Sequence, residues 1–297
     1  MQIVFLGTSS MVPTKERNHS SIYFNFKGEG FLFDCGEGTQ RQIKIAGVKP
    51  SSIDNLIISH WHGDHVLGIP GLLQTLAHNN YDKTLKIFGP SGTRRFMSKI
   101  FSFFSTVCDI KCEVFEVKDG EAFIDEEEYS LTSHKLDHGI ECMGYAFKEK
   151  DRRRINKEFI KEKRIDEGPH LKRLQKGQDI IWKEEKINHR QATYNVKGKK
   201  VGFIFDTKVC KNCYKIADDA DVLISEATFT DEHQENAKNY KHMTAKDVGE
   251  IAVSSKTKKV ILTHFSQRYR QPEEILKEVK SVFKNTEAAY DLMKIIV

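Results

Sequence analysis

The sequence predicts an α/β fold in which two β-sheets carry helices on their outer faces. Strand-like apolar runs alternate with stretches whose apolar residues recur three and four positions apart, as expected for strands and amphipathic helices. This alternation occurs in both halves of the chain and stops between Phe147 and Val201. The 297 residues, 39% hydrophobic and 30% charged, suit a packed core with a solvated surface. We therefore expect one main domain over residues 1–297, with one insertion.

The first half of the chain contains short apolar runs separated by polar or Gly-rich turns, which predict strands. These runs are Ile3–Leu6, Ile22–Phe26, Phe31–Phe33 and Leu56–Ser59. The polar turn Lys27–Gly30 suits a hairpin between the second and third runs. Helical spacing of apolar residues predicts the helices Thr39–Ala46, Val66–His78 and Thr93–Phe104.

The second half repeats this pattern around the insertion. Its predicted strands are Glu113–Val117, Gly144–Phe147, Val201–Phe205, Val222–Ser225 and Val260–Thr263. Its predicted helices are Thr244–Ser254 and Pro272–Phe283. Between Phe147 and Val201, Asp151–Ile165 predicts a highly charged helix, Gly168-Pro169 predicts its stop, and a polar segment leads to Thr193–Val196. We interpret this region as a protruding insertion.

The basic charge of the chain is concentrated in that insertion. The net charge of the whole chain is only +5. Between Lys148 and Lys176 there are twelve Lys and Arg against six Asp and Glu, which gives +6 and leaves the rest at −1. The basic excess is therefore confined to one segment.

The N-terminus and the cysteines point to the cell interior. The segment Met1–Gly7 has no basic n-region, and no later apolar run reaches membrane-spanning length, so we expect a cytoplasmic protein without a membrane partner. Six scattered cysteines give little support to a disulfide framework. Cys210 and Cys213 have C-x-x-C spacing but lack a second pair for a structural zinc site, so we expect a buried structural role.

The strongest feature is an H-x-H-x-D-H cluster directly after the run Leu56–Ser59. It places three imidazoles and a carboxylate within six positions, at His60, His62, Asp64 and His65. A loop at a strand end can bring such side chains together, whereas a strand would alternate their faces and a regular helix would spread them. Imidazole and carboxylate are ligands of zinc and similar ions. The cluster therefore predicts a metal site.

Three further candidate ligands each lie at the end of a plausible strand or just past it. They are His138, Asp206 and His264. If Asp206 bridges two ions, the candidates divide into two sets. These sets are His60, His62 and His138 on one ion, and Asp64, His65 and His264 on the other. Two ions about 3.5–4 Å apart would hold a hydroxide between them.

At these residues the chain resembles the metallo-β-lactamase superfamily and, within it, the tRNase Z (RNase Z) family. The similarity runs nearly end to end and lies in six segments. They are Phe5–Ser10, Pro13–Asn18, Phe33–Gln40, Ser225–Phe229, His242–Ala245 and Thr263–Tyr269. General metallo-β-lactamase hydrolases share the histidine cluster but not these flanking segments. One position departs from the family pattern, because Ser225 stands where a His is usual.

The resemblance implies a four-layer αββα sandwich with the metals at one edge of the two sheets and a protruding arm. Gly168–Gly177 is similar to the Gly-Pro segment of the family's flexible tRNA-binding arm, which agrees with the basic excess. The basic arm would cover residues 148–196. The cations implied as RNA contacts are Lys15, Arg17, Arg152, Arg153, Arg154, Lys172, Arg173 and Lys176.

The resemblance also implies a zinc-dependent endoribonuclease that cleaves precursor tRNA at its 3′ end, leaving a tRNA 3′-hydroxyl and a 5′-phosphorylated trailer. Two Zn²⁺ per subunit are expected, although Mn, Co or Fe can share these ligands. His242, steered by Glu226, would protonate the leaving oxygen, and Asp64 would take the proton of the attacking water. The family further implies a homodimer in which the arm of one subunit serves the active site of the other.

Two alternatives stay open at this point. The first keeps the metals and changes the substrate, giving a broad phosphodiesterase or a thioester or lactam hydrolase of the superfamily. The basic insertion argues against it. The second is a non-catalytic RNA-binding or scaffold protein with a structural metal site, against which the seven intact ligand positions argue.

Overall fold

A computed structural model of the chain describes residues 1–103 and 110–297 and has the predicted α/β composition. Its strands are β1 (Gln2–Gly7), β2 (Ser21–Phe26), β3 (Glu29–Phe33), β4 (Asn55–Ile57), β5 (Thr84–Gly89), β6 (Lys111–Glu116), β7 (Ala122–Asp125), β8 (Tyr129–Asp137), β9 (Glu141–Glu149), β10 (Arg152–Ile155), β11 (Ile180–Trp182), β12 (Glu185–Ile187), β13 (Thr193–Val196), β14 (Lys200–Ile204), β15 (Val222–Glu226), β16 (Val260–Thr263), β17 (Thr286–Ala288) and β18 (Lys294–Ile296). Its α-helices are α1 (Thr39–Ala46), α2 (Gly63–Val66), α3 (Ile69–His78), α4 (Thr93–Phe103), α5 (Lys157–Glu162), α6 (Pro169–Gln175), α7 (His189–Ala192), α8 (Lys211–Ala217), α9 (Gln234–Tyr240), α10 (Ala245–Ser254) and α11 (Glu273–Val282). Phe104, the predicted end of the fourth helix, lies outside the described residues.

The chain divides into two compact units. The first unit comprises residues 1–124, 131–147 and 200–297, and the second comprises residues 125–130 and 148–199. Each is described by itself.

The first unit contains two seven-stranded mixed sheets. One has the order β18-β1-β2-β3-β4-β5-β6 and the other β17-β16-β15-β14-β9-β8-β7. Strands β14, β15 and β16 run parallel, so their C-terminal ends meet at one edge of the second sheet. This edge is where the sequence places Asp206 and His264.

Aromatic side chains pack the two sheets of the first unit face to face. Phe33 from the first sheet stacks on Phe203 from the second, with ring centroids 4.0 Å apart, and Phe24 lies 4.7 Å from Phe147. All four rings are fully buried. Burying one such side chain contributes about 1.5–3 kcal/mol, so this aromatic layer holds the sheets together.

Helices cover the outer faces of both sheets, which gives four layers. Apolar residues of α1, α3 and α4, such as Ile43, Leu72 and Met97, form one core with the outer face of the first sheet. On the second sheet, α8 packs so closely that a Cβ at Gly144 would lie 2.6 Å from the side chain of Ile216. Helix α10 contacts both α8 and α11 on this side. The predicted two sheets with outer helices are confirmed.

The predicted helix Val66–His78 is instead two helices, α2 and α3, interrupted at Leu67 and Gly68. The break follows from the close approach of another loop. A Cβ at Gly68 would lie 2.0 Å from the carbonyl oxygen of Gly36, and the Gly68 amide donates to the Cys35 carbonyl at 2.9 Å. Only glycine permits this approach, because a side chain at this position would collide with the Gly36 carbonyl. The chain turns at Gly68 to make these contacts, and the helix is interrupted there.

The second unit has its own small core. It contains two antiparallel strand pairs, β10 with β13 and β11 with β12, and short helices. Its buried apolar residues are Ile160, Ile165, Leu174, Ile180, Ile187 and Ala192. The predicted single helix Asp151–Ile165 is wrong, because Arg152–Ile155 pairs with β13 and Asn156 then caps α5 by accepting from two backbone amides. The predicted stop at Gly168-Pro169 is also wrong, since Pro169 begins α6.

Candidate metal centre

The H-x-H-x-D-H segment leaves β4 as a loop and continues into α2. His60 is completely buried, His62 is the residue before the helix, and Asp64 and His65 lie in its first turn. The Met143 amide of β9 donates to the Ser59 carbonyl at 2.9 Å, which fixes the beginning of the loop. The change from strand to loop to helix brings all four side chains together, as predicted from the sequence.

The first group of potential ligands consists of two histidines from this loop, His60 and His62, and two residues that follow strands of the second sheet, His138 and Asp206. His60 Nε2 lies 3.0 Å from His62 Nδ1, and His138 Nε2 lies 3.2 Å from the same atom. Asp206 Oδ2 is 3.7 Å from His60 Nε2 and 3.9 Å from His138 Nε2. These four ligand atoms lie within 4.8 Å of one another.

The second group lies beside the first. His65 Nε2 is 3.2 Å from His264 Nε2 and 3.3 Å from Asp64 Oδ2. His264 follows β16 with φ of 61°, a left-handed conformation that is uncommon for residues other than glycine and concentrates at functional sites. These two clusters contain the residues of the two predicted groups, and a third cluster combines Asp206 and His264 with His242.

Asp206 stands between the two groups. Its Oδ2 faces His60 and His138, while its Oδ1 lies 3.3 Å from His264 Nε2. The Oδ1 atom is buried and has no hydrogen-bond partner among the described residues. A buried carboxylate oxygen without a donor is costly unless a cation neutralises it. Together with the converging imidazole nitrogens, it fits a divalent metal.

The protonation of the imidazoles follows from burial and from the three nearby carboxylates. Burial lowers the pKa of His60 well below its usual value, which favours the neutral form that binds metals. Burial acts on His65 in the same direction, but the carboxylates of Asp206 and Asp64 outweigh it and raise the pKa of His65 well above the usual value. The pKa of Asp206 is held well below its usual value, against burial, by His264 and His65. This concentration of negative charge is what a cation would neutralise.

Asp34, which has no predicted role, orients two of the histidines. Its Oδ2 lies 2.7 Å from His65 Nδ1 and accepts a hydrogen bond from the Ser59 hydroxyl at 2.8 Å. Ser59 Oγ in turn lies 2.9 Å from His60 Nδ1. A carboxylate behind a ligating histidine fixes its orientation and raises its basicity. The sequence signal was an acidic residue directly after the buried strand β3.

Other ligands are held by the backbone or by a hydroxyl. His138 Nδ1 lies 3.1 Å from the carbonyl oxygen of Lys241, and His264 Nδ1 lies 3.1 Å from Thr228 Oγ1. The Met11 amide donates to Asp64 Oδ2 at 2.8 Å. These partners come from distant parts of the sequence, and sequence reasoning missed them.

His242 and Glu226 form a pair beside the metal ligands. His242 Nδ1 lies 2.9 Å from Glu226 Oε1, and His242 Nε2 lies 3.9 Å from Asp206 Oδ2. Burial disfavours the charged imidazole, but Glu226 and then Asp206 outweigh it and raise the pKa of His242 to about 9. The neighbouring Ser225 is buried and donates to the Glu226 carbonyl at 3.0 Å.

The predicted RNA-contacting cations differ in exposure. Most are exposed, namely Lys15, Arg152, Arg154, Lys172, Arg173 and Lys176. Arg153 is half-buried. Arg17 is only 7% exposed, and its guanidinium donates to the carbonyls of Ser266 and Tyr269. This buried guanidinium links its loop to the Ser266–Tyr269 segment and is not available to RNA. The predicted RNA contact of Arg17 is therefore wrong.

No helix in the described part of the chain combines the length and the apolar content that crossing a membrane would need.

Comparisons with known proteins place the chain in a family. A family model described as anti-Pycsar protein Apyc1 matches residues 1–97. A ribonuclease Z from Methanothermobacter thermautotrophicus is 38% identical over 307 residues, covering 100% of this chain and 97% of the relative. The crystal structure of human tRNase Z, short form, has a TM-score of 0.74 and 26% identity, covering 100% of this chain and 99% of the human one.

A further solved structure, the metallo-β-lactamase fold protein YhfI from Bacillus subtilis, is 18% identical with a TM-score of 0.71, covering 99% of this chain and 98% of that one. The four layers of the first unit are therefore the metallo-β-lactamase fold. The family model covers only the first third of the chain, whereas the archaeal relative matches it from end to end. By this full-length similarity, the chain belongs to the ribonuclease Z family.

Proposed function

We propose that the chain is a metal-dependent endoribonuclease that cleaves precursor tRNA at its 3′ end. The products are a tRNA 3′-hydroxyl and a trailer with a 5′-phosphate. The observation that carries the proposal is the pair of ligand groups joined by Asp206, in a chain that is 38% identical to a ribonuclease Z over its full length. The metal-dependent hydrolysis of a phosphodiester is the chemistry that such a paired site supports.

The proposed metal ligands are the seven residues predicted from the sequence. They are His60, His62, Asp64, His65, His138, Asp206 and His264, hereafter the ligand cluster. When bound, two divalent ions would supply positive charge to the phosphate oxygens and lower the pKa of the attacking water. The donor set of imidazoles and carboxylates favours zinc among the common ions, and we propose two Zn²⁺ per subunit.

Proton movement is assigned to residues beside the ligands. His242 presents Nε2 toward the cluster while Glu226 holds its Nδ1, so the protonated imidazole can donate from Nε2 to the leaving oxygen. The Glu226 carboxylate favours this protonated form of His242. The carboxylate of Asp64 is the proposed acceptor of the proton from the attacking water. Its Oδ2 already accepts from the Met11 amide, which fixes its position.

RNA recognition is assigned to the second unit and to Lys15. The exposed cations of the second unit include three on or directly after α6, namely Lys172, Arg173 and Lys176. They have no carboxylate within salt-bridge distance among residues 1–103 and 110–297, so their charge is available to phosphates. Arg152 is less available, because it pairs with Glu149 at 3.1 Å. We propose residues 148–196 as the tRNA-binding arm.

Two further properties are proposed from family membership. We propose that the enzyme is a cytoplasmic protein and that it acts as a homodimer. Analytical ultracentrifugation of the purified chain tests the second property, and a single species at the 34.2 kDa monomer mass would contradict it.

The central experiment compares two substrates. A precursor tRNA with a defined 3′ trailer and a small aryl phosphodiester are each incubated with the zinc-loaded protein, with and without a chelator. We expect cleavage of both and loss of both activities on chelation. Mapping the termini should give a 3′-hydroxyl on the tRNA and a 5′-phosphate on the trailer.

The remaining outcomes distinguish the alternatives. Cleavage of the aryl diester without cleavage of the precursor would indicate a broad phosphodiesterase. Binding of the precursor without cleavage of either substrate would indicate a non-catalytic RNA-binding protein. Cleavage that survives chelation would contradict the assignment of the ligand cluster.

A further inference from the structure

Two cysteines outside the metal chemistry lie next to each other at the beginning of α8. Cys210 is the residue before the helix, and Cys213 lies in its first turn. Their Sγ atoms are 3.5 Å apart, and the Cys213 amide donates to the Cys210 carbonyl at 3.0 Å. A disulfide has about 2.05 Å between its sulfurs. The remaining separation is within the reach of side-chain rotation.

The two thiols differ in their access to solvent. Cys213 is completely buried, whereas Cys210 is half-buried and lines a surface groove of 660 Å³. The groove is also lined by the cations Lys135, Lys211 and Lys215 and by the carboxylates Asp119, Asp137 and Glu141. A small solute can therefore reach Cys210 but not Cys213. Of the two cysteines that were expected to be buried, only Cys213 is buried.

The ionisation of the two thiols follows the same asymmetry. The Cys213 thiol donates to Cys210 Sγ, and the backbone amides of Cys213 and Asn212 add further donors, which lowers the pKa of Cys210 to about 6. Hydrogen bonding to Cys210 and burial raise the pKa of Cys213 far above its usual value. Cys210 is therefore the nucleophile of the pair at neutral pH, because the thiolate is the reactive form.

Two other cysteines of the described chain lack this combination of exposure and low pKa. Cys35 and Cys142 are completely buried, and burial raises the pKa of each thiol. Cys112 is half-buried against the apolar core of the first unit. Cys108 lies outside the described residues.

We propose that Cys210 and Cys213 are a redox-active dithiol that low-molecular-weight disulfides oxidise, with Cys210 as the attacking thiol and Cys213 as the resolving thiol. The groove contains both lysines and carboxylates, so it fits a small disulfide that carries both ammonium and carboxylate groups. His138 of the ligand cluster lines the same groove, but neither cysteine belongs to a metal-ligand group among the described residues. The proposal does not depend on the proposed ribonuclease activity.

The exchange has two steps. The Cys210 thiolate attacks one sulfur of the small disulfide, whose S–S bond breaks, and the departing thiolate takes a proton from water. The sulfur of Cys213 then attacks Cys210 Sγ in the mixed disulfide, the S–S bond to the second small thiol breaks, and the proton of Cys213 passes to that departing thiolate. The protein dithiol is oxidised by two electrons, and the small disulfide is reduced to two thiols.

The experiment uses the zinc-loaded whole protein and oxidised glutathione as the probe. The reduced protein is incubated with an excess of the probe at neutral pH, its remaining thiols are alkylated, and intact mass with peptide mapping locates the modifications. We expect wild type to lose two thiols and to give a peptide linked between Cys210 and Cys213. Cys213→Ala should stop with one glutathione on Cys210, and Cys210→Ser should acquire none at Cys213.

Cys112→Ser is the matched control, because it removes a half-buried cysteine elsewhere and should react as wild type does. The proposal is overturned if wild type keeps both thiols free in excess probe, or if it stops at the mixed disulfide. It is also overturned if Cys210→Ser still loses the Cys213 thiol at the wild-type rate. The wild-type peptide map decides the question by itself if Cys213→Ala does not fold, which circular dichroism would reveal.

Discussion

The ligand cluster and the second unit hold their charged side chains in opposite ways. Six of the seven residues in the cluster are buried, the exception being the half-buried His62, and the non-ligating nitrogens of His60, His65, His138 and His264 each contact a fixed oxygen. In the second unit, the cations of α6 point to solvent. A buried group acts on one atom at one distance, whereas an exposed cation acts on any phosphate that approaches.

This difference predicts two kinds of response to substitution. The removal of one buried ligand leaves the others without a common ion and should abolish function. The removal of one exposed cation changes only one of several additive contacts.

The largest effect is expected for Asp206→Ala, because Asp206 faces both ligand groups. We expect loss of activity on precursor tRNA and on the aryl diester, together with lower bound metal measured by elemental analysis. His134→Ala is a suitable control, since His134 is a half-buried histidine of β8 that belongs to no metal-ligand group among the described residues. Full metal occupancy with normal turnover in Asp206→Ala would contradict the bridging role.

His242→Ala separates proton transfer from metal binding. His242 Nε2 lies 3.9 Å from Asp206 Oδ2, and His242 also forms a potential metal-ligand group with Asp206 and His264. If Glu226 holds it as a proton donor outside the metal ligands, metal content should stay at the wild-type level. Turnover should fall roughly 10²–10⁴-fold, the usual scale for the loss of a general acid. The measurement is kcat on the precursor beside elemental analysis of the same sample. Loss of metal in this variant would assign His242 to the ligands and not to proton transfer.

Asp34→Asn tests whether Asp34 orients His65 and, through Ser59, His60 for metal binding. The amide keeps the size of the carboxylate but removes the charge that faces His65 Nδ1 and one of the acceptors for Ser59. We expect metal affinity or activity to fall about 10–100-fold, the range observed when such outer partners are removed. Competition with a chelator measures the affinity. A variant that binds metal and turns over as wild type does would show that Asp34 serves folding alone.

Sequence reasoning could predict that the candidate ligands lie close together, because their positions follow from simple topology. Asp206 and His264 follow the parallel strands β14 and β16, whose ends must meet at one sheet edge, and the loop cluster was recognisable from its spacing. The partners of these ligands were not predictable in the same way. The Lys241 carbonyl and the Thr228 hydroxyl acquire their roles only through tertiary contacts across long stretches of chain.

The same limit explains the errors in the second unit and in the Pro13–Asn18 loop. Arg152–Ile155 has a helical charge pattern, but it pairs with Thr193–Val196, about forty residues away, and this long-range partner decides its conformation. Lys15 and Arg17 look alike in sequence, yet only Lys15 is exposed. Burial depends on what covers a residue, and the local sequence does not contain that information.

The smallest effect is expected for charge reversal on the second unit. The structure shows which cations can be reversed without disturbing its core. Deleting Lys148–Lys176 would also remove Ile160 and Leu174 from the small core, so Lys172→Glu, Arg173→Glu and Lys176→Glu are cleaner. A loss of about 0.5 kcal/mol per exposed contact should raise KM for precursor tRNA roughly tenfold. The salt dependence should flatten, since fewer counterions are released. Hydrolysis of the aryl diester should not change.

The control reverses three exposed lysines of the first unit, Lys277, Lys280 and Lys284. If both triple variants raise KM equally, net charge alone is responsible and the second unit is not the arm.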